Sequence, residues 1–136
     1  LGSRDGVRTN LPVLTTEGLV GRIAAVSVNR SQVLLVGAPN CKVSALVANE
    51  ARDTGVIGPS GPLESDLVVL SYLPRSTTIK AGQEVFTSGL GGIFPKGIPI
   101  GKVVDARPVE HGLYVEARIK LAANPNALEE VWVLLP

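Results

Sequence analysis

One run constrains this chain more than any other: Thr87-Ser88-Gly89-Leu90-Gly91-Gly92-Ile93-Phe94-Pro95-Lys96-Gly97-Ile98-Pro99-Ile100-Gly101. Glycine reaches backbone angles closed to other residues, and proline fixes its own φ. Between these punctuators sit Leu90, Ile93, Phe94, Ile98 and Ile100, residue types that flexible linkers lack. The pattern predicts a rigid, shaped loop between two strands. The run carries no nucleophile–base pair, no metal-ligand cluster and no lysine placed as in a phosphate loop. Its first reading is architectural.

The rest of the chain reads as short strands. Leu113, Val115, Ala117, Ile119 and Leu121 alternate with Tyr114, Glu116, Arg118 and Lys120, the period of a half-buried strand. Other strands are expected at Pro12–Thr15, Leu19–Ser27, Gln32–Val36, Lys42–Val47, Gly55–Ile57, Leu67–Leu73, Glu84–Thr87, Ile98–Arg107 and Glu130–Leu135. Turn signals separate them: Pro39-Asn40, Gly58 to Pro62, Ala81-Gly82 and His111-Gly112. Helix is scarce; Asn124 to Glu129 supports one turn, with Pro125 at the first helical position. The hydrophobic content of 45% with 4% aromatics requires an aliphatic core, and 15 glycines with 10 prolines suit an all-β fold.

A weak internal repeat runs through this pattern. Val13-Leu14-Thr15-Thr16 matches Val85-Phe86-Thr87-Ser88, and Gly21-Arg22-Ile23 matches Gly101-Lys102-Val103. The extra residues of the second copy fall in the glycine-rich run. Arg8, Arg22, Lys80 and Lys102 recur at equivalent places, as outward charges that resist edge pairing. A duplication predicts two units of related design; two similar hairpins would also look alike by chance.

Composition excludes several functions. The net charge of +1 leaves no basic footprint for nucleic acid. Cys41 is the one cysteine, so it forms no intramolecular disulfide and reads as a small buried hydrophobe. No run of 18 apolar residues and no signal peptide is visible. The chain starts at Leu1 without methionine, as a fragment of a longer protein would.

Chemical sites are equally thin. His111 is the one histidine and lies in an expected turn; Ser88 and Asp105 would have to join it in a hydrolase triad. Ser88-Gly89 lacks the nucleophile-elbow pattern. Glu129 and Glu130 are adjacent, so in a strand they point to opposite faces. Gly89 to Gly92 opens no helix that could cradle a phosphate, since Pro95 and Pro99 follow. Neither a cofactor nor a metal is expected.

The glycine-rich run resembles the signature of the MreC family, whose members determine rod shape in bacteria. Tyr72-Leu73-Pro74-Arg75, Gly18-Leu19-Val20-Gly21-Arg22-Ile23, Ser31-Gln32-Val33-Leu34-Leu35, Gly101-Lys102-Val103 and Leu128-Glu129-Glu130-Val131 resemble it too, in order along almost the whole chain. Thr54 stands where the family often has arginine, and the loop from Gly58 to Pro62 is individual. The resemblance implies the periplasmic core of such a protein: two small six-stranded β-barrels, anchored to the inner membrane by an N-terminal helix outside this chain, with a coiled coil between. It implies a non-catalytic scaffold of the cell-wall elongation complex. The implied partners are a class B penicillin-binding transpeptidase, with MreD, RodZ and MreB in the full complex, and further copies of itself. No family catalytic residue transfers.

The expected architecture is therefore all-β with almost no helix. One discontinuous barrel spans 1–31 and 98–136, and an inserted barrel spans 32–97; the alternative is a tandem split near Leu73. The candidate site is the loop, with Ser88, Gly89, Leu90, Gly91, Gly92, Phe94, Pro95, Gly97, Pro99 and Gly101 as structural residues and a candidate interface. Phe94 is either a core anchor or a contact. Two other functions stay open: a β-barrel hydrolase of trypsin-like fold, and a peptidoglycan-binding module, for which Trp132, Tyr72, Tyr114, Phe86 and Phe94 form no cluster in sequence.

Overall fold

The computed structural model describes residues 2–38, 41–59, 66–123 and 131–135. Ten strands follow in order: β1 Pro12–Leu14, β2 Leu19–Val26, β3 Ser31–Leu35, β4 Val43–Val47, β5 Thr54–Pro59, β6 Leu67–Pro74, β7 Glu84–Thr87, β8 Pro99–Val109, β9 Tyr114–Leu121 and β10 Trp132–Val133. Each lies where alternation or an aliphatic run predicts it. Among the described residues the sole helical element is a 3-10 turn, Ser3–Asp5. The expected helical turn over 124–129 and the turn at 39–40 lie outside the described residues, as do 60–62 of the Gly58 to Pro62 loop.

The strands make one closed barrel and one open sheet, which corrects the expectation of two six-stranded barrels. The barrel order is β4-β5-β6-β9-β8-β7, closed by antiparallel pairing of β7 with β4. The open antiparallel sheet has the order β10-β1-β2-β3. Its physical limit is strand length: β1 has 3 residues and β10 has 2, too little ladder to carry a second closed cylinder. The strand grouping also crosses the expected boundaries at 31/32 and 97/98. β8 and β9 belong to the barrel, and β3 belongs to the open sheet.

The aliphatic composition fills the barrel. Ile57, Leu70, Leu73, Val85, Ile100 and Ile119 are fully buried in its core. A smaller cluster of Val7, Val13, Val20, Ile23 and Ala123 lies against the open sheet. β2 serves both: Leu19 packs in the barrel cluster and its neighbour Val20 in the smaller one.

The internal repeat is present in three dimensions. Pro12, Val13 and Leu14 of β1 pair with Arg22, Gly21 and Leu19 of β2. Glu84, Val85 and Phe86 of β7 pair with Lys102, Gly101 and Pro99 of β8, position for position. Each ladder breaks register at the same step, after Val13 and after Val85. The next ladder repeats as well. Ile23 pairs with Val33 and Ala25 with Gln32 across a bulge; Val103 pairs with Ile119 and Asp105 with Arg118 across its counterpart. Even the glycines correspond. A Cβ on Gly21 would sit 2.0 Å from the Leu34 carbonyl oxygen, and one on Gly101 2.0 Å from that of Lys120. Only glycine permits that approach. The ribbons β1-β2-β3 and β7-β8-β9 thus share one geometry.

Candidate functional site

The glycine-rich loop joins β7 to β8 and is held from inside by a threonine. Thr87 is fully buried. Its hydroxyl donates to the Pro95 carbonyl at 2.5 Å and accepts from the Ile98 N–H at 2.9 Å. The Thr87 N–H donates to the Ile98 carbonyl, and the Gly97 N–H to the Thr87 carbonyl, both at 2.9 Å. Ser88 ties the loop to β4: its N–H donates to the Ser44 carbonyl, and its Oγ lies 2.9 Å from Ser44 Oγ. Phe94 is buried in the barrel core beside Ile98, so the ring anchors the loop. Gly91 (φ 87°) and Gly92 (φ 78°) form the turn in the left-handed region. Pro95, Gly97 and Pro99 are exposed along the return limb, and Gly101 is buried in β8. Leu90, 61% exposed, and Ile93 stand out at the tip.

The residues of the hypothetical hydrolase do not meet. Ser88 lies at the β7 end of the barrel, whereas His111 lies in the exposed β8–β9 turn. β8 has 11 residues, so roughly 30 Å of strand separate these ends. Asp105 is engaged by Arg118, whose Nε lies 2.9 Å from Oδ1. That hydrogen bond holds the Asp105 carboxyl below the usual aspartate range. Burial pushes the Cys41 thiol up, opposed by Arg22, so the cysteine is an inert core group. Among the described residues, no group of three or more His, Cys, Asp and Glu side chains could hold a metal ion. No helix there is long and apolar enough to cross a membrane.

A second surface was not legible in the sequence. Tyr72 lies in β6 at φ 66°, where its pairing with β9 slips between Leu70 and Leu73. A bulky side chain there is a backbone outlier that costs on the order of 1–2 kcal/mol. The distortion turns Tyr72 outward, 60% exposed. Its ring meets Tyr114 edge to face, at 5.6 Å between centroids and 88° between planes. Leu113, also exposed, adjoins Tyr114. The available signal was the pair itself, Tyr72 before Leu73-Pro74 and Tyr114 on the polar face of β9. Nothing in residue type announces a left-handed tyrosine. This aromatic ridge lies at the end of the barrel opposite the glycine-rich loop, since Tyr114 pairs with Val109 at the far end of β8.

An aliphatic barrel with a clasped loop and a strained, exposed tyrosine defines an all-β protein of the small-barrel class. The comparisons with known proteins give the particular family. The model of the family "Rod shape-determining protein MreC, barrel core" matches residues 1–135. The cell shape-determining protein MreC of Escherichia coli K12 is 38% identical over 150 residues, covering 96% of this chain and 40% of that protein. Its counterpart from Listeria monocytogenes is 36% identical over 135 residues, covering 98% and 45%. The chain belongs to the MreC family, whose members are non-catalytic cell-shape proteins. It spans less than half the length of these two relatives.

Solved structures agree. A Listeria monocytogenes MreC structure superimposes with a TM-score of 0.89 at 35% identity, covering 96% of this chain and 62% of that one. The major periplasmic domain of a "cell shape-determining filament MreC" gives 0.76 at 29%, covering 90% and 74%. A Helicobacter pylori MreC, solved in complex with the penicillin-binding protein PBP2, shares the fold at 0.69 and 23%, covering 85% and 69%.

Proposed function

We propose that this chain is the extracytoplasmic core of a cell-shape scaffold, and that it docks a class B penicillin-binding transpeptidase through the Tyr72–Tyr114 ridge. The observation that carries the reading is the strained backbone of Tyr72. A fold accepts a left-handed tyrosine with an exposed ring when the ring's placement serves something other than packing. Exposed, pre-positioned aromatics are the commonest anchors of protein interfaces. Family membership and the PBP2 complex of the Helicobacter pylori relative support the choice of partner. The small net charge assigns most of the affinity to apolar contact, with a modest salt dependence. In the full protein, an N-terminal helix would hold this core at the inner membrane, and MreD, RodZ and MreB would complete the assembly.

The test is binding of the transpeptidase ectodomain from the same cell. Tyr72→Gly suits the φ of 66° and removes the ring, and Tyr114→Ala removes its neighbour. Each should weaken binding by about tenfold or more, the loss expected of an interface anchor. Tyr72→Gly should melt no lower than the parent. Undiminished binding by both variants would sink the assignment of the ridge. Turnover of an ester or peptide substrate that Ser88→Ala or His111→Ala abolishes would sink the scaffold reading itself.

A further inference from the structure

The two ribbons of the repeat differ at one edge and in one charge. In the barrel ribbon, β9 pairs with β8 on one side and with antiparallel β6 on the other. β3 occupies the equivalent place in the open sheet, where Arg30, Gln32 and Val33 correspond to Glu116, Arg118 and Ile119. Among the described residues no strand pairs with the outer edge of β3. The Val36 N–H donates to the Val20 carbonyl, so by alternation Val33 turns its own N–H and C=O outward. Its side chain is 38% exposed, whereas Ile119, opposite Val68 of β6, is 0% exposed. Proteins ordinarily guard an open edge with charge or proline, and Ser31-Gln32-Val33-Leu34-Leu35 has neither. The charges diverge just before it. The barrel ribbon pairs Arg107 with Glu116 and Arg118 with Asp105. Their counterparts are Ser27 opposite Arg30 and Ala25 opposite Gln32. Arg30 is exposed, and no ion pair among the described residues engages it. A groove of about 300 Å³ beside it is lined by Ala25, Val26, Ser27, Arg30, Ser31 and Gln32.

We infer that the outer edge of β3 docks an extended segment of another protein, added as an antiparallel strand, with an acidic side chain that meets Arg30. The barrel ribbon supplies the pattern, because β6 fills the equivalent edge there. Val68 lies opposite Ile119 and Leu70 opposite Ala117, the counterparts of Val33 and Ser31. The docked segment therefore needs two aliphatic residues two positions apart. The first stacks on Val33, which lies on the face of Ile23, and so extends the small hydrophobic cluster. An antiparallel segment runs towards the start of β3, so the residue after its second aliphatic one stands opposite Arg30. A carboxylate there makes the ion pair that the barrel ribbon makes within itself. The 3-10 turn brings Arg4 to the same end, its N–H donating to the Val28 carbonyl at 3.2 Å, while the Asp5 carboxylate accepts from the Gly2 N–H at 3.1 Å. Backbone hydrogen bonds give an added strand its affinity, and alternate side chains give it specificity. β10, with 2 residues, offers too short a ladder for the same role. The site stands apart from the Tyr72–Tyr114 ridge, which belongs to the barrel.

NMR titration of the purified chain with the peptide acetyl-Lys-Lys-Leu-Val-Val-Leu-Glu-amide tests it. Its only carboxylate is the glutamate side chain. Shift changes are expected along 25–35, with slowed exchange of the Val33 amide. Lysine in place of the peptide's glutamate should weaken binding about tenfold, as loss of a charge-assisted hydrogen bond does. Arg30→Glu should reverse that preference and favour the lysine peptide, with melting unchanged. N-methylation of the peptide's first valine, the residue opposite Val33, should abolish binding, because a strand ladder needs that N–H. Tyr72→Gly should bind the peptide like the parent, so failure here and failure of the ridge are told apart. No binding of the glutamate peptide overturns the inference. So does binding that ignores the charge reversal or the N-methyl group, or that shifts β10 or the ridge instead of β3. A peptide that ends at its leucine with a free carboxylate, and binds more tightly than the amidated glutamate peptide, overturns the acidic side chain as the group that meets Arg30.

Discussion

Replacing Thr87 by valine tests whether the loop is clasped from within. Valine has nearly the same shape, so packing around the fully buried side chain is kept. Only the hydroxyl is lost. The Ile98 N–H then sits buried without the acceptor it had at 2.9 Å. An orphaned buried N–H costs about 1–3 kcal/mol. The hydrogen bond to the Pro95 carbonyl contributes about 1 kcal/mol, although Pro95 is exposed and its carbonyl can turn to water. The added methyl recovers about 0.8 kcal/mol by burial. The net loss is about 2 kcal/mol. For a chain of this length that lowers the melting temperature by roughly 7 °C. Thermal melts of parent, Thr87→Val and Thr87→Ser supply the comparison. Serine keeps the hydroxyl and forfeits one methyl, so it should lose about 1 kcal/mol. Amide exchange should quicken at Gly97 and Ile98 in the valine variant alone. A valine variant as stable as the parent, with slow exchange at Ile98, would refute the clasp.

Phe94→Ala should cost about 3–5 kcal/mol in denaturant unfolding, as truncation of a core aromatic does; an unchanged midpoint would return Phe94 to the role of a surface contact. Gly91→Val or Gly92→Val should each cost roughly 1–3 kcal/mol for the left-handed backbone, although open space surrounds both positions; unchanged melting for both would show a loop without fixed conformation. Gly101→Ala should do far more damage, since its Cβ would lie 2.0 Å from the Lys120 carbonyl oxygen and must push β8 from β9; a soluble variant with parental melting would contradict that ladder. The lowered pKa of Asp105 means its ion pair contributes above the ordinary aspartate range and is lost as pH falls through the lowered value. An NMR titration should find the Asp105 midpoint below the ordinary range and returned towards it by Arg118→Leu; equal midpoints would deny the pairing.

Much of the barrel was legible because its strands obey one rule. Ala117, Ile119 and Leu121 face inward and Arg118 and Lys120 outward, as two-residue alternation dictates. Leu113 broke the rule: it precedes β9 and is exposed. The closure of the sheets was not legible, because alternation says which face is buried and nothing about which strand lies alongside. β8 and β9 therefore read as partners of β1 and β2, although they hydrogen-bond to β7 and β6. At the site, Phe94 among glycines left anchor and contact both open, and the structure buries its ring in the barrel core. Thr87 gave no signal, since a threonine ending a strand is ordinary until its hydroxyl is seen to bridge Pro95 and Ile98. Tyr72 was hidden for the opposite reason: its backbone angle contradicts its residue type, and sequence reasoning follows residue type.

A chain that carries the same three-stranded ribbon twice faces a sorting problem while it folds. β4 must close the barrel on β7, yet β1 offers the same ladder, the same bulge and the same glycine opposite. Closing on β1 would be a shorter loop and hence the entropically easier mistake. The glycine-rich loop is the feature that distinguishes the two ribbons, and it grips β4 directly, through Ser88 on Ser44. It therefore acts as an address label. The turn between β1 and β2 lacks the inserted residues, Phe94 among them, that seat this loop in the barrel core, and that difference separates the two ribbons.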